Sequence, residues 1–233
     1  MEAIVEVTRK YVKNNIRAIC HKFACSDIYP PVDHPDSFFM AGSPGAGKTE
    51  TSKYFIGSIL GKTPSRKIVR IDPDEIRESL PNYDPGQAHL FQSATSLAVD
   101  KVLDFVFHNN QNFLLDGTFA HNSSYRNITR CLSKGRRVGI LYVYQDPKIA
   151  WDFTKKRAAI EGRTIPLDAF VDAFFKAKDQ VNKVKKDFGT DVQLLLIIKN
   201  YHQGTFKTHF NIASLDPYIK MTYNPKTLKN ILL

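Results

Sequence analysis

Met40-Ala41-Gly42-Ser43-Pro44-Gly45-Ala46-Gly47-Lys48-Thr49 reads as a strand end, a glycine-rich turn and the start of a helix. Gly42 and Gly47-Lys48-Thr49 fit the phosphate-loop pattern: a glycine, four free positions, then Gly-Lys-Ser/Thr. Such a loop bends its backbone N–H groups around a chain of phosphates, and glycines permit the positive φ angles and close approach this needs. Lys48 would give a point charge to the β- and γ-phosphates, and the Thr49 hydroxyl would ligate Mg²⁺. Ser37-Phe38-Phe39-Met40-Ala41 enters the loop as a short buried strand. Residues 49–60, with Glu50 in the first turn, leave it as a helix whose positive end faces the phosphates. Strand, loop and helix together imply a nucleoside triphosphate site over residues 42–50.

Beyond the loop, apolar strands alternate with amphipathic helices. Strands are expected at 67–71, 112–116, 137–144 and 192–199, and helices at 75–80, 87–107, 123–134 (capped by Asn122 or Ser123), 147–160 and 167–188. Lys62-Thr63-Pro64-Ser65 reads as a turn. Strands joined by crossover helices predict an α/β fold of P-loop NTPase type, a mainly parallel sheet with helices on both faces. The expected organisation is a helical leader at 1–36, with one helix over 2–23, and a P-loop domain at 37–200. An extension at 201–233 packs on the same domain, with an edge strand near 206–212 and a terminal helix. Ligands in such sheets bind at the carboxyl ends of the strands. Ala41-Gly42, Asp72-Pro73-Asp74 and Asp116-Gly117-Thr118 should therefore meet in one cleft.

The composition is that of an ordinary soluble domain, with no apolar run long enough for a membrane helix. Three irregularly spaced cysteines (20, 25, 131) and no apolar signal core point to a reducing, cytoplasmic setting without a disulfide framework or a zinc site. The net charge is +10, and residues 121–190 alone hold 15 basic against 7 acidic residues. Such a field suits ATP with a second phosphorylated substrate, and it would also attract nucleic acid. No alternation of aromatic and basic residues marks a stacking platform, which places nucleic acid behind a small molecule as partner.

Several residues could do chemistry. Asp74, at a strand's carboxyl end, is either a carboxylate that takes the proton of an acceptor hydroxyl or the N-cap of a helix starting at Glu75. Asp72 reads as a structural or supporting carboxylate grouped with the substrate-binding residues. Asp116 ends an apolar strand as a Walker-B carboxylate does, beside the Mg²⁺ shell; a plain turn residue before Gly117 is the alternative. Lys155-Lys156-Arg157 and Arg163 flank an interruption at Gly162 and Pro166, which suggests a basic lid closing on phosphates, or else a solvated charged helix end. Asp100, taken alone, is a solvated helix charge.

Taken jointly, these stretches resemble the zeta-toxin family of small-molecule kinases, over roughly residues 36–189. The resemblance rests on the loop, Ile71-Asp72-Pro73-Asp74, Leu80-Pro81-Asn82-Tyr83, Asp116-Gly117-Thr118, Arg157 and Arg163. It implies ATP and Mg²⁺, a sugar nucleotide such as UDP-N-acetylglucosamine as acceptor, and a protein antitoxin as partner. It also implies Lys48 on phosphate, Asp74 as catalytic base, and Asp100 and Thr118 on the acceptor. Arg157 and Arg163 would bind phosphates and stabilise the transferring group. Two departures bear on the acceptor. Phe119-Ala120 stands where the family often has Gly-Arg, and Asp100 where a glutamate is expected. A polynucleotide kinase and a slow ATP-hydrolysing switch are the rival expectations.

Overall fold

Runs of Ile, Val, Leu and Phe set between helices become five strands of a six-stranded sheet, and the polar, exposed segment Thr205–His209 adds the sixth. The computed structural model describes residues 2–60 and 67–233, so the turn expected at Lys62-Thr63-Pro64-Ser65 lies outside the described residues. The strands are β1 (Asp36–Ala41), β2 (Ile68–Ile71), β3 (Asn112–Leu115), β4 (Arg137–Tyr144), β5 (Val192–Asn200) and β6 (Thr205–His209), in the spatial order β2-β3-β1-β4-β5-β6. The first five pair in parallel; β6 folds back antiparallel on β5 and forms one edge. This is the P-loop NTPase-like sheet, and β1, the strand that enters the phosphate loop, lies near its middle between β3 and β4.

The helices are α1 (Glu2–Asn14), α2 (Ile16–Ala24), α3 (Lys48–Tyr54), α4 (Pro73–Glu78), α5 (Ala88–His108), α6 (Ser123–Ser133), α7 (Pro147–Glu161), α8 (Leu167–Phe188) and α9 (Pro225–Leu232). Parallel strands bury both faces, and successive side chains divide between them. Phe39 and Ala41 join a core with Val69, Phe113, Ile140, Leu194, α5 and α8, and Val12, Ile19 and Cys20 of the first two helices enter the same core. Met40, between them in sequence, joins Leu114, Leu141 and Val143 on the opposite face, under Phe55 and Ile56. Beyond β6, Ile212, Leu215 and Ile219 return to the main core, and α9 sets Leu228 and Leu232 against Ala150 of α7 and Phe170 of α8.

Three local expectations change. The helix expected over 2–23 is two, because Asn15 leaves helical geometry (φ −116°) and its amide donates to the Tyr11 carbonyl at 2.9 Å. After Tyr54 the phosphate-loop helix widens into a π-turn at Phe55–Leu60. Neither Asn122 nor Ser123 caps α6 with its side chain. The Ser123 N–H instead donates to His121 Nδ1 at 3.2 Å.

Candidate active site

The loop between β1 and α3 closes as its glycines allow. Gly42 has φ +130°, and a Cβ there would strike the Val143 carbonyl of β4; Gly45 has φ +70° and lies equally close to the Ala150 carbonyl of α7. The Gly42 N–H donates to the Thr118 carbonyl at 3.1 Å, which ties the loop to the segment after β3. Lys48 folds over the loop, its Nζ donating to the Ser43 carbonyl at 2.7 Å. Burial pulls the Lys48 ammonium down to about 8, against the carboxylates of Asp116 and Asp74, which hold it up. Thr49 follows, half-buried, while Glu50 is exposed beside Lys199.

Asp72 and Asp74 exchange the roles that helix capping suggested. Pro73 occupies the first helical position, so the cap is Asp72, whose Oδ1 accepts from the Asp74 N–H at 2.8 Å. Such a cap contributes about 1 kcal/mol to the helix. Asp74 is thereby left free of capping, and it meets three arginines. Arg77 Nη1 and Arg163 Nη1 both reach Asp74 Oδ1, at 2.7 and 2.5 Å, and Arg157 Nη2 lies 3.4 Å from Oδ2. Burial alone would raise the Asp74 carboxyl, but Arg163 and Arg77 outweigh it and hold it below its ordinary value. The segment around Gly162, expected as a basic lid or a solvated helix end, brings Arg157 and Arg163 against Asp74. Gly162 ends α7 in left-handed geometry (φ +71°), and Arg157 is braced at 2.6 Å by Glu161.

One step away lies a cluster of the opposite balance. Arg70, on β2, donates to Asp72 at 2.5 Å, Glu75 at 2.5 Å and Asp116 at 2.6 Å. Asp116 Oδ2 also accepts from Ser52 Oγ of α3 at 2.6 Å. Burial lowers the Arg70 guanidinium's proton affinity, but the Asp116 bond and charge more than reverse this. Asp72 moves up, chiefly by burial, against the pull of Arg70. Thr49 and Asp116 offer oxygen donors, and Asp116 Oδ1 has no bond among the described residues. Mg²⁺ commonly takes one or two protein oxygens and fills its shell with water and phosphate, so this donor set fits it. No group of three or more His, Cys, Asp or Glu among the described residues could hold a metal by itself.

Thr118 lies on the rim, half-buried, its carbonyl bonded to the loop. Next to it, Phe119 has φ +64°, which is costly for a bulky residue; its buried ring packs edge-on to Phe39 and holds it there. Asp100 is not drawn into either cluster. It sits half-exposed on α5, with Arg126 of α6 at 3.8 Å. On the other side of the loop, Lys199 of β5 donates to the Gly47 carbonyl at 2.9 Å. Beside it opens a cavity of about 600 Å³, walled by Gln145, Asp146, Ile149, Tyr201 and Phe206 among others.

Four contributors were not singled out from sequence: Arg70, Ser52, Arg77 and Lys199. Two carried a signal. Arg70 is a charge inside the apolar run Ile68–Ile71, and Arg77 stands three residues after Asp74 on a helix, the spacing of a same-face ion pair. Ser52 and Lys199 carried none.

The sequence model of the family described as Zeta toxin matches residues 20–208. No curated protein matches the chain. Among solved structures, the chain is similar to one from the PezAT chromosomal toxin-antitoxin system of the human pathogen Streptococcus pneumoniae. The TM-score is 0.68 at 14% identity, over 94% of this chain and 92% of that one. It is also similar to a chain in the complex of AvrRxo1-ORF1 with AvrRxo1-ORF2 bearing sulphate ions, with a TM-score of 0.64 at 15% identity, over 94% of this chain and 72% of that one. At such identities the likeness is one of fold.

Proposed function

The chain belongs to the zeta-toxin family, and from that premise we propose that it is a kinase moving the γ-phosphate of ATP to a hydroxyl of a small anionic metabolite. UDP-N-acetylglucosamine is the first acceptor to test. The observation that carries this reading is the meeting of Asp74 with Arg157 and Arg163 beside a phosphate loop: a hydroxyl-orienting carboxylate and two phosphate-binding cations on one rim. Triphosphate oxygens accept from the loop N–H groups, and Lys48 exchanges the Ser43 carbonyl for them. Arg157 and Arg163 pass from Asp74 to the γ-phosphate, where they offset developing charge. Asp74 then accepts the hydrogen bond of the acceptor hydroxyl, and Thr118, next to the loop, contacts the acceptor. The cavity next to Lys199 has room for the nucleoside. Mg²⁺, held by Thr49 and Asp116, would neutralise phosphate charge.

The fold shared with a toxin-antitoxin structure supports reading the protein as a toxin restrained by a protein antitoxin, acting in the cytoplasm on ATP. No helix among the described residues is long and apolar enough to cross a membrane.

Wild type and Asp74→Asn should be compared with Mg-ATP alone, with UDP-N-acetylglucosamine, with a 5′-hydroxyl oligonucleotide and with a metabolite extract screened for the mass gain of one phosphate. The expected result is product on the sugar nucleotide, lost in Asp74→Asn with ATP affinity retained. Transfer to the oligonucleotide alone would move the activity to nucleic-acid ends. Hydrolysis without transfer, indifferent to Asp74, would reduce the protein to an ATP-driven switch.

A further inference from the structure

Three arginines hold Asp74, but they are not held alike. Arg157 and Arg163 come from the end of α7 and the segment after it, with side chains 49% and 25% exposed. Arg77 comes from α4 and is only 3% exposed. Its Nη1 donates to Asp74 Oδ1 at 2.7 Å, and its Nη2 donates to Gln92 Oε1 of α5 at 2.8 Å. Its Nε is buried with no hydrogen-bond partner among the described residues. A guanidinium placed there at the cost of one unsatisfied donor is fixed by its surroundings, since a buried unpaired N–H is unfavourable. The division of the carboxylate follows the same line. Oδ1 is shared by Arg77 and Arg163, whereas Oδ2 faces Arg157.

We propose that Arg77 is the positioning residue of the base: it keeps Oδ1 of Asp74 tied to α5 when the two lid arginines leave for the γ-phosphate, so that Oδ2 alone is offered to the acceptor hydroxyl. This deepens the kinase reading above and rests on it. In the transfer the acceptor O–H bond breaks and its proton passes to Asp74 Oδ2. The acceptor oxygen bonds to the γ-phosphorus, and the bond from that phosphorus to the β-phosphate bridging oxygen breaks, releasing ADP. A half-buried carboxylate that lost all three cations would hold its proton more tightly and serve poorly as a base. Arg77 prevents that. The other charged and titratable groups facing Asp74 are Arg157 and Arg163 from the lid, Asp72 at the cap, Lys48 from the loop and Tyr83 after α4.

The test compares wild type with Arg77→Gln, Arg77→Lys and Gln92→Ala, using Mg-ATP and UDP-N-acetylglucosamine or the acceptor that the screen returns. For Arg77→Gln, kcat should fall about 100-fold while the KM for ATP stays within about twofold. The acid limb of kcat/KM for the acceptor should move up by about one pH unit, since an opposite charge at this distance is worth that much or more. Arg77→Lys should restore the limb but only part of the rate, because a lysine keeps the charge and loses the fork that spans Asp74 and Gln92. Gln92→Ala, which leaves the Asp74 bond in place, should lower kcat several-fold in the same direction. If Arg77→Gln does not fold, wild-type kcat in both Arg77→Lys and Gln92→Ala overturns the proposal. An unshifted acid limb in a folded Arg77→Gln overturns it too. Wild type that phosphorylates nothing in the screen overturns the kinase reading, and the proposal with it; transfer with an unmoved limb overturns the proposal alone.

Discussion

Two neighbouring clusters mirror each other in charge. Around Arg70 stand three carboxylates, Asp72, Glu75 and Asp116; around Asp74 stand three guanidiniums, Arg77, Arg157 and Arg163. The first has negative charge to spare and is built on β2, the start of α4 and the end of β3, elements that the sheet holds in register. The second has positive charge to spare, and two of its arms come from the segment around Gly162. A surplus of carboxylate oxygens favours a cation, and a surplus of guanidinium favours phosphate. Both lie at one strand rim with Lys48 between them, and under the proposed function that placement would separate the two charges of a metal–nucleotide complex. The difference in mounting matters as much as the difference in sign: the first cluster is anchored on the sheet, and two arms of the second come from a helix end and the segment after it.

The largest expected effect is on the arginine cluster around Asp74. Arg163→Ala should lower kcat by about 10³-fold, the usual worth of an arginine on a transferring phosphoryl group, with only a small fall in the unfolding midpoint because Arg77 still pairs with Asp74 at 2.7 Å. A rate near wild type with a lost midpoint would show that the clusters do not differ in this way. Arg70→Met should show the reverse pattern. It leaves Asp72 and Asp116 buried without their cation, a loss of roughly 3–5 kcal/mol, readable as a drop in denaturation midpoint on the order of 10 °C. Full stability in that variant would mean that the carboxylates relax by taking up protons, and the cluster would then not be rigid.

Lys48, between the two, yields a finer measurement. Its ammonium lies at about 8 in the free protein through burial, so near pH 9 it is mostly neutral, whereas below pH 7 it is charged. Phosphate favours the charged form. Nucleotide binding near pH 9 should therefore take up a fraction of a proton, seen by calorimetry in buffers of different ionisation enthalpy. The uptake should vanish in Lys48→Met and shrink towards pH 7; uptake independent of Lys48 would place the titration elsewhere. The smallest effect should come from Asp100→Asn. The exposed pair it makes with Arg126 is worth about 0–1 kcal/mol, and the residue lies outside both clusters. A large rise in the acceptor KM would show that the acceptor reaches α5.

How much of this could be read in advance follows from where the chemistry is stored. The loop between β1 and α3 was legible because it is a backbone shape written in closely spaced glycines between a strand and a helix. The sheet was legible from apolar runs and crossover helices. The roles of Asp72 and Asp74 were half legible: Pro73 marks the first helical residue, so Asp-Pro-Asp already named the cap, yet the partners of Asp74 lie 3, 83 and 89 residues further along. Long-range side-chain pairing has no period to detect. Asn15 broke a smooth helical pattern for a similar reason, since its amide competes for a backbone carbonyl and leaves the apolar stripe unchanged.

The crowding around Gly42 and Gly45 has a thermodynamic consequence. The Val143 carbonyl of β4 presses on the first glycine and the Ala150 carbonyl of α7 on the second, so two separate elements hold the loop in its curved shape. The entropy of ordering that segment is therefore lost during folding, when the large core can offset it, rather than when a nucleotide arrives. Under the proposed function a triphosphate would meet a loop already curved and lose mainly its own freedom, so affinity for the polyphosphate moiety would owe more to preorganisation than to the strength of each hydrogen bond. Disturbing the Val143 end of β4 or the Ala150 turn of α7 should weaken nucleotide binding by returning that entropy to the loop.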